Sequence, residues 1–95
     1  MRIHQWLKIL AQGKGSDLFL ATGAPPCAKF AGELKTIAPD VLAPGEVATI
    51  ADEIMDDTQR EEFARELEMN LALFMPGIGR FRVNIFRQRN EVSIV

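Results

Sequence analysis

Ninety-five residues, 47% hydrophobic and 25% charged, suffice for one ordinary globular domain. The single cysteine, Cys27, excludes an internal disulfide and a thiolate zinc cluster within the chain, and no apolar run approaches the ~20 residues of a membrane helix. The net charge of −2 hides a division. Ten acids stand against Arg60 and Arg65 between Asp40 and Glu68, a balance of −8, whereas nine basic and three acidic residues elsewhere leave +6.

The opening MRIHQWLKIL interleaves polar with apolar residues, so it lacks the continuous apolar region of a signal peptide. Ile3, Trp6, Leu7, Leu10 and Ala11 recur at three and four residues, which predicts an amphipathic helix of about three turns. GKGS stops it. SDLFLA follows as a short strand with Leu18 and Leu20 on one face and Phe19 on the other, and TGAPP is a turn. CAKFAGELKTI reads as a hairpin bent near Ala31 and Gly32. APDVLAPGE is a loop, after which Val47, Ile50, Ala51 and Ile54 fall at helical spacing until Asp56 and Asp57 interrupt them. Thr58 and Glu61 fit a capping box opening a third helix, with Phe63 and Leu67 expected on its buried side.

The period then changes to two. LEMNLALFM alternates Leu67, Met69, Leu71 and Leu73 against Glu68, Asn70 and Ala72. PGIG turns the chain, and RFRVNIFRQR alternates Phe81, Val83 and Ile85 against Arg80, Arg82 and Asn84. EVSIV begins a last strand. The order is α-βββ-αα-βββ, an α+β domain whose mainly antiparallel sheet carries its helices on one face.

Most chemistry-bearing residues have plain structural readings. GKGS, at Gly13 to Ser16, lacks the lysine–serine pair of a phosphate-binding loop and sits between a helix and a strand, so it is a helix stop. Asp52, Glu53, Asp56 and Asp57 crowd at i, i+4 spacing, but no calcium-loop pattern surrounds them, and they form a solvated acidic helix end. His4 has no nucleophile to serve, Cys27 in a strand behaves as a small hydrophobe, and Trp6 anchors the first helix.

The arginines stand apart from these. Arg80 and Arg82 share one face of their strand, and parity puts Arg87 and Arg89 on the other. A guanidinium fork matches phosphate bidentately and keeps its charge in any surroundings. A nucleic-acid partner is disfavoured, because GRFRVNIF does not match the RRM signature and the pI is near 5.3.

GSDLFLATGAPP followed by FAGEL resembles the opening of the secretion and pilus ATPase superfamily, and TQREEF followed by GIGRFRVNIFRQR resembles the N-terminal domain of type IV pilus retraction ATPases. The resemblance runs from about residue 3 to 95, and the ending RQRNEVSIV is closer to the accessory, PilU-like branch. Phe19 stands where the superfamily often has histidine. The Walker A loop and acidic boxes of the family are not in this segment. The resemblance implies that residues 1–95 are one PAS-like, non-catalytic domain with a RecA-like ATPase domain downstream. It also implies a cytoplasmic hexameric ring, peripheral at the inner membrane through the pilus platform protein and a related retraction ATPase, that drives twitching motility. No cofactor is expected in this segment, with ATP and Mg expected in the full-length protein. Arg80, Arg82, Arg87 and Arg89 are the implied contacts to ATP phosphates, Arg82 and Arg89 being preferred. The alternative is a PAS-like small-molecule sensor or protein-interaction domain.

Overall fold

The computed structural model describes residues 1–88 and 91–95. The first apolar stripe forms α1 (His4–Gln12), with Trp6, Leu7 and Leu10 buried beside Ile3; Ala11 is exposed. The exit from α1 is pressed against the sheet: a Cβ on Gly15 would stand 2.9 Å from the Lys29 carbonyl oxygen and 2.5 Å from Leu10 Cδ1. Close approach therefore requires glycine at this point, which accounts for half of GKGS without phosphate.

β1 (Asp17–Ala21), β2 (Cys27–Phe30) and β3 (Glu33–Thr36) form an antiparallel meander. The β2–β3 bend uses Ala31 and Gly32, with φ of 51° and 81°, two left-handed residues whose twist suits a two-residue hairpin. α2 (Glu46–Ile54) buries Val47, Ile50, Ala51 and Ile54, as its spacing predicts. α3 (Asp57–Glu66) buries Phe63. β4 (Glu68–Met75), β5 (Gly79–Gln88) and β6 (Glu91–Ile94) complete a sheet of order β3-β2-β1-β6-β5-β4, antiparallel throughout. The α+β expectation and the element order hold, and this topology is compatible with a PAS-like description. Among the described residues, no helix is long and apolar enough to cross a membrane.

The first and last strands meet in the middle of the sheet. Leu20 pairs with Ile94, Ile94 with Ile85, and Ile85 with Met69, so one row of apolar side chains crosses four strands. All four are buried in the same core as Trp6, Ile50 and Phe63, which places the three helices on one face. The other face is open to solvent. Burying each such aliphatic side chain contributes roughly 1.5–3 kcal/mol before entropy is counted.

Two boundaries differ from the sequence reading. The capping box of α3 is made by Asp56 and Gln59, two residues ahead of the Thr58 and Glu61 pair. Asp56 Oδ1 accepts from the Gln59 amide at 2.8 Å, and Gln59 Oε1 accepts from the Asp56 amide at 2.9 Å. Tertiary packing selects this earlier cap, since Met55 is buried and ends α2 in an extended conformation immediately before Asp56. Leu67 also lies outside the helix. It is the C-cap in a left-handed conformation, φ 61°, and about half exposed, which redirects the chain straight into β4. Replacing Asp56 with alanine is expected to cost about 1 kcal/mol and to lower Tm by roughly 4–8 °C in a thermal melt.

Arg2 joins α1 to α2 through a 2.9 Å ion pair with Glu46. The hydrogen bond from Arg2, then a backbone hydrogen bond at Ala43, hold the Glu46 carboxyl below its usual range. A carboxyl depressed on folding stabilises the fold above its unfolded pKa, and that contribution is lost as pH falls through the folded value. The pair is solvent-screened, so the effect is small. Glu46→Gln is expected to lower Tm slightly at pH 7 and not at all in acid below the depressed value. Paired melts at the two pH values check this; a difference that survived in acid would count against the ion pair as its source.

Candidate functional site

β5 is an interior strand, paired from Gly79 to Phe86 with β4 and from Ile85 to Gln88 with β6. Its register is continuous with no bulge, so parity holds along its whole length. Val83 and Ile85 point into the core with Phe81 packed beside them. Arg80 and Arg82 therefore project from the open face, where both are exposed. Residues two apart on a strand are separated by about 7 Å, close enough for two guanidinium groups to meet a single triphosphate.

Cross-strand neighbours arrange this face. Arg80 sits opposite Phe74, with its guanidinium carbon 5.7 Å from the ring centroid, and Arg82 sits opposite Ala72. Alanine offers Arg82 no ring like the one Phe74 offers Arg80. Among the described residues neither arginine forms an ion pair. The next rung is polar: Asn84 Nδ2 donates to Asn70 Oδ1 at 2.8 Å and to Glu68 Oε1 at 3.2 Å. These bonds tie β4 to β5 on the arginine side. Asn70 was not singled out from sequence, because its place beside the arginines depends on the β4–β5 register; counting outward from the PGIG turn would have found it.

Arg87 stands on the helix side, as parity predicts. Its guanidinium carbon lies 5.8 Å from the centroid of the Phe63 ring, and it lines a cleft of about 390 Å³ between the α2–α3 pair and the sheet, with Arg60 and Asp52. It does not share a surface with Arg80 and Arg82. Arg89, the remaining expected contact, lies outside the described residues.

The other candidates have local roles. Arg60 gathers the acidic helix end: its Nε is 3.2 Å from Asp52 Oδ1 and its Nη1 is 2.7 Å from Asp57 Oδ1, while Nη2 donates to the Asp52 carbonyl at 2.8 Å. One side chain thus braces α2 against α3. His4 is exposed, and Trp6 is buried under Arg2, whose guanidinium carbon is 5.5 Å from the ring. Cys27 is half-buried, with Sγ 3.2 Å from the Pro25 carbonyl oxygen. Phe19 lies on the open face under the Lys29 ammonium, 5.9 Å from its ring centroid.

No family model matches the chain. Curated relatives do. The chain is 37% identical over 95 residues to the type IV pilus ATPase PilU of Pseudomonas aeruginosa, covering all of this chain and 25% of that protein. It is 35% identical over 95 residues to the pilus retraction ATPase PilT of the same organism, covering 28% of it. The chain thus spans about a quarter of the length of these relatives. A crystal structure of the pilus retraction motor PilT with bound ADP superposes with a TM-score of 0.80 at 27% identity, over 93% of this chain and 27% of that one. The Legionella pneumophila ATPase DotB shares the fold, with a TM-score of 0.74 at 19% identity over 98% of this chain and 28% of its own. Identity along the entire chain to two type IV pilus ATPases, on a shared fold, places this protein with the N-terminal domains of the type IV pilus retraction ATPases.

Proposed function

We propose that this chain is the non-catalytic arm of a pilus retraction motor, presenting Arg80 and Arg82 to the phosphates of ATP held by a RecA-like domain of an adjacent subunit. The observation that carries the reading is the pair of exposed guanidinium groups on one face of β5, in its continuous ladder with β4, without an acidic partner among the described residues. A surface arginine that serves only solubility has no need of such a mount. The β4–β5 ladder holds both stems at a fixed spacing, so little ordering entropy is lost when a polyanion arrives. That the PilT structure was solved with ADP supports a nucleotide as the anion.

Guanidinium N–H groups donate charge-assisted bonds to γ-phosphate oxygens. After hydrolysis and phosphate release those acceptors are gone, so the arm is held in the ATP state and freed in the ADP state. Such a differential contact is what moves one rigid domain relative to another. In this reading the protein works in a cytoplasmic hexameric ring at the pilus platform, with Mg accompanying ATP, and couples turnover to twitching motility. Arg87, turned toward the helices, serves the α3–sheet junction.

The test is steady-state ATPase activity and pilus retraction in the full-length protein carrying Arg80→Gln or Arg82→Gln, with Lys29→Gln on the same open face as control. Activity is expected to fall in the two arginine variants and to persist in the control. Unchanged activity in both arginine variants would remove the assignment.

A further inference from the structure

The sheet ends in two edges of opposite character. β3 forms one of them with four residues, all exposed, and carries Glu33 and Lys35, whose charged ends lie 3.9 Å apart. Short, charged edges of this kind resist pairing with other strands. β4 forms the other edge. It has eight residues in unbroken register with β5, holds one charge, Glu68, and contains no proline. Asn70, Ala72 and Phe74 are exposed along it, Phe74 at 61%. Neither shortness, charge, proline nor a bulge protects this strand.

The direction of its backbone groups follows from its neighbour. Asn84 donates its amide to the Val95 carbonyl at 2.8 Å and accepts from the Val95 amide at 2.9 Å, both on the β6 side. It therefore shares no backbone bond with Asn70, the residue opposite it on β4, and Asn70 turns its own N–H and C=O outward. Alternation extends this to Glu68, Ala72 and Phe74. Among the described residues, no backbone group bonds to these outward positions.

The chemistry of the edge selects its own copy as the strand that fits. An antiparallel partner must pair residues of equal parity, so that side chains share a face, and must pair outward-facing residues with one another. A second β4 meets both conditions with Leu71 on the two-fold axis. Asn70 then opposes Ala72 of the second copy and Glu68 opposes Phe74, each pair exchanging two backbone bonds. On the helix side Leu71 meets its own counterpart and Met69 meets Leu73, so the partly buried margin of the core is closed by apolar residues. On the open face, Glu68 of one copy falls in line with Phe74 and Arg80 of the other. The Cα atoms of Glu68 and Arg80 are then two strand spacings apart, about 10 Å. The Arg80 guanidinium already leans across the Phe74 ring toward that edge. Two-fold symmetry repeats this opposite-charge pair at both ends of the joint.

We propose that β4 is a homodimer edge: two copies of this chain join antiparallel through residues 68–74 into one continuous sheet, with Glu68 and Arg80 as the charge pair that fixes the register. Arg82 lies behind Ala72 and takes no part in the joint. The pairing stands apart from whatever anion the open face meets.

The test is sedimentation velocity and amide exchange across a concentration series of this chain, beside Glu68→Arg, Arg80→Glu and the double reversal. The mass is expected to rise from 10.6 kDa toward twice that value as concentration increases. Exchange at the Asn70, Ala72 and Phe74 amides should slow about tenfold or more over the same series. Either single reversal sets like charges in line at both ends of the joint and should weaken association about tenfold; the double reversal restores it. A mass of 10.6 kDa at every concentration overturns the proposal. So does a dimer whose concentration-dependent protection falls on other amides, or a double reversal that associates no better than the single ones.

Discussion

Arg82→Gln in the full-length motor is expected to lower ATP turnover by roughly 10–100-fold. The estimate follows from the ~1.5–3 kcal/mol of a hydrogen bond to a charged group, at about 1.4 kcal/mol per factor of ten. Glutamine keeps polarity and most of the stem but removes the charge and the fork. The change should leave stability within about 0.5 kcal/mol, because Arg82 is exposed and opposite only Ala72. Arg82→Lys separates charge from geometry. It restores the charge without bidentate donation, so activity between wild type and the glutamine variant is expected. Arg80→Gln should act in the same direction but more weakly, since its guanidinium already rests over Phe74. A loss of turnover accompanied by a large fall in Tm would instead point to damage of the strand.

The largest stability effect is expected at Ile85. It is fully buried, at 0% exposure, and stands between Ile94 and Met69 at the centre of the apolar row. Truncation to alanine removes transfer energy and leaves a cavity that paired strands on both sides cannot collapse into, for a cost of about 2–5 kcal/mol. A domain of this size has roughly 5–14 kcal/mol in total, so Ile85→Ala should leave it marginal. Denaturant titration should show the midpoint falling sharply with the slope unchanged. Leu34→Ala on the exposed edge strand β3 is the comparison, and it should move the midpoint hardly at all. Similar shifts at the two positions would mean that the core does not sit where the sheet places it.

Much of this was legible before the fold was known, for a local reason. The arginine face follows from side-chain parity along β5, which needs no tertiary information once the strand is recognised. The helical stripes of α1 and α2 and the Ala31–Gly32 bend are local in the same sense. The misread features were those decided by packing. Two overlapping capping boxes compete around residue 57, and the buried Met55 together with the Arg60 brace selects the earlier one. Leu67 reads as helix core by spacing, yet the helix ends there in a left-handed turn with no glycine to announce it. Long-range pairing left no local trace. Nothing in DLFLA or EVSI says that the two strands are neighbours, and the Asn70–Asn84 bond and the Phe63 ring beneath Arg87 were equally invisible.

The most direct measurement is nucleotide affinity, for ATP and for ADP separately, in the full-length protein with and without Arg82→Gln. If the guanidinium reaches the γ-phosphate, ATP binding weakens about tenfold or more while ADP binding is unchanged. Affinities for both nucleotides that are unaltered, or that fall together, would contradict a γ-phosphate contact.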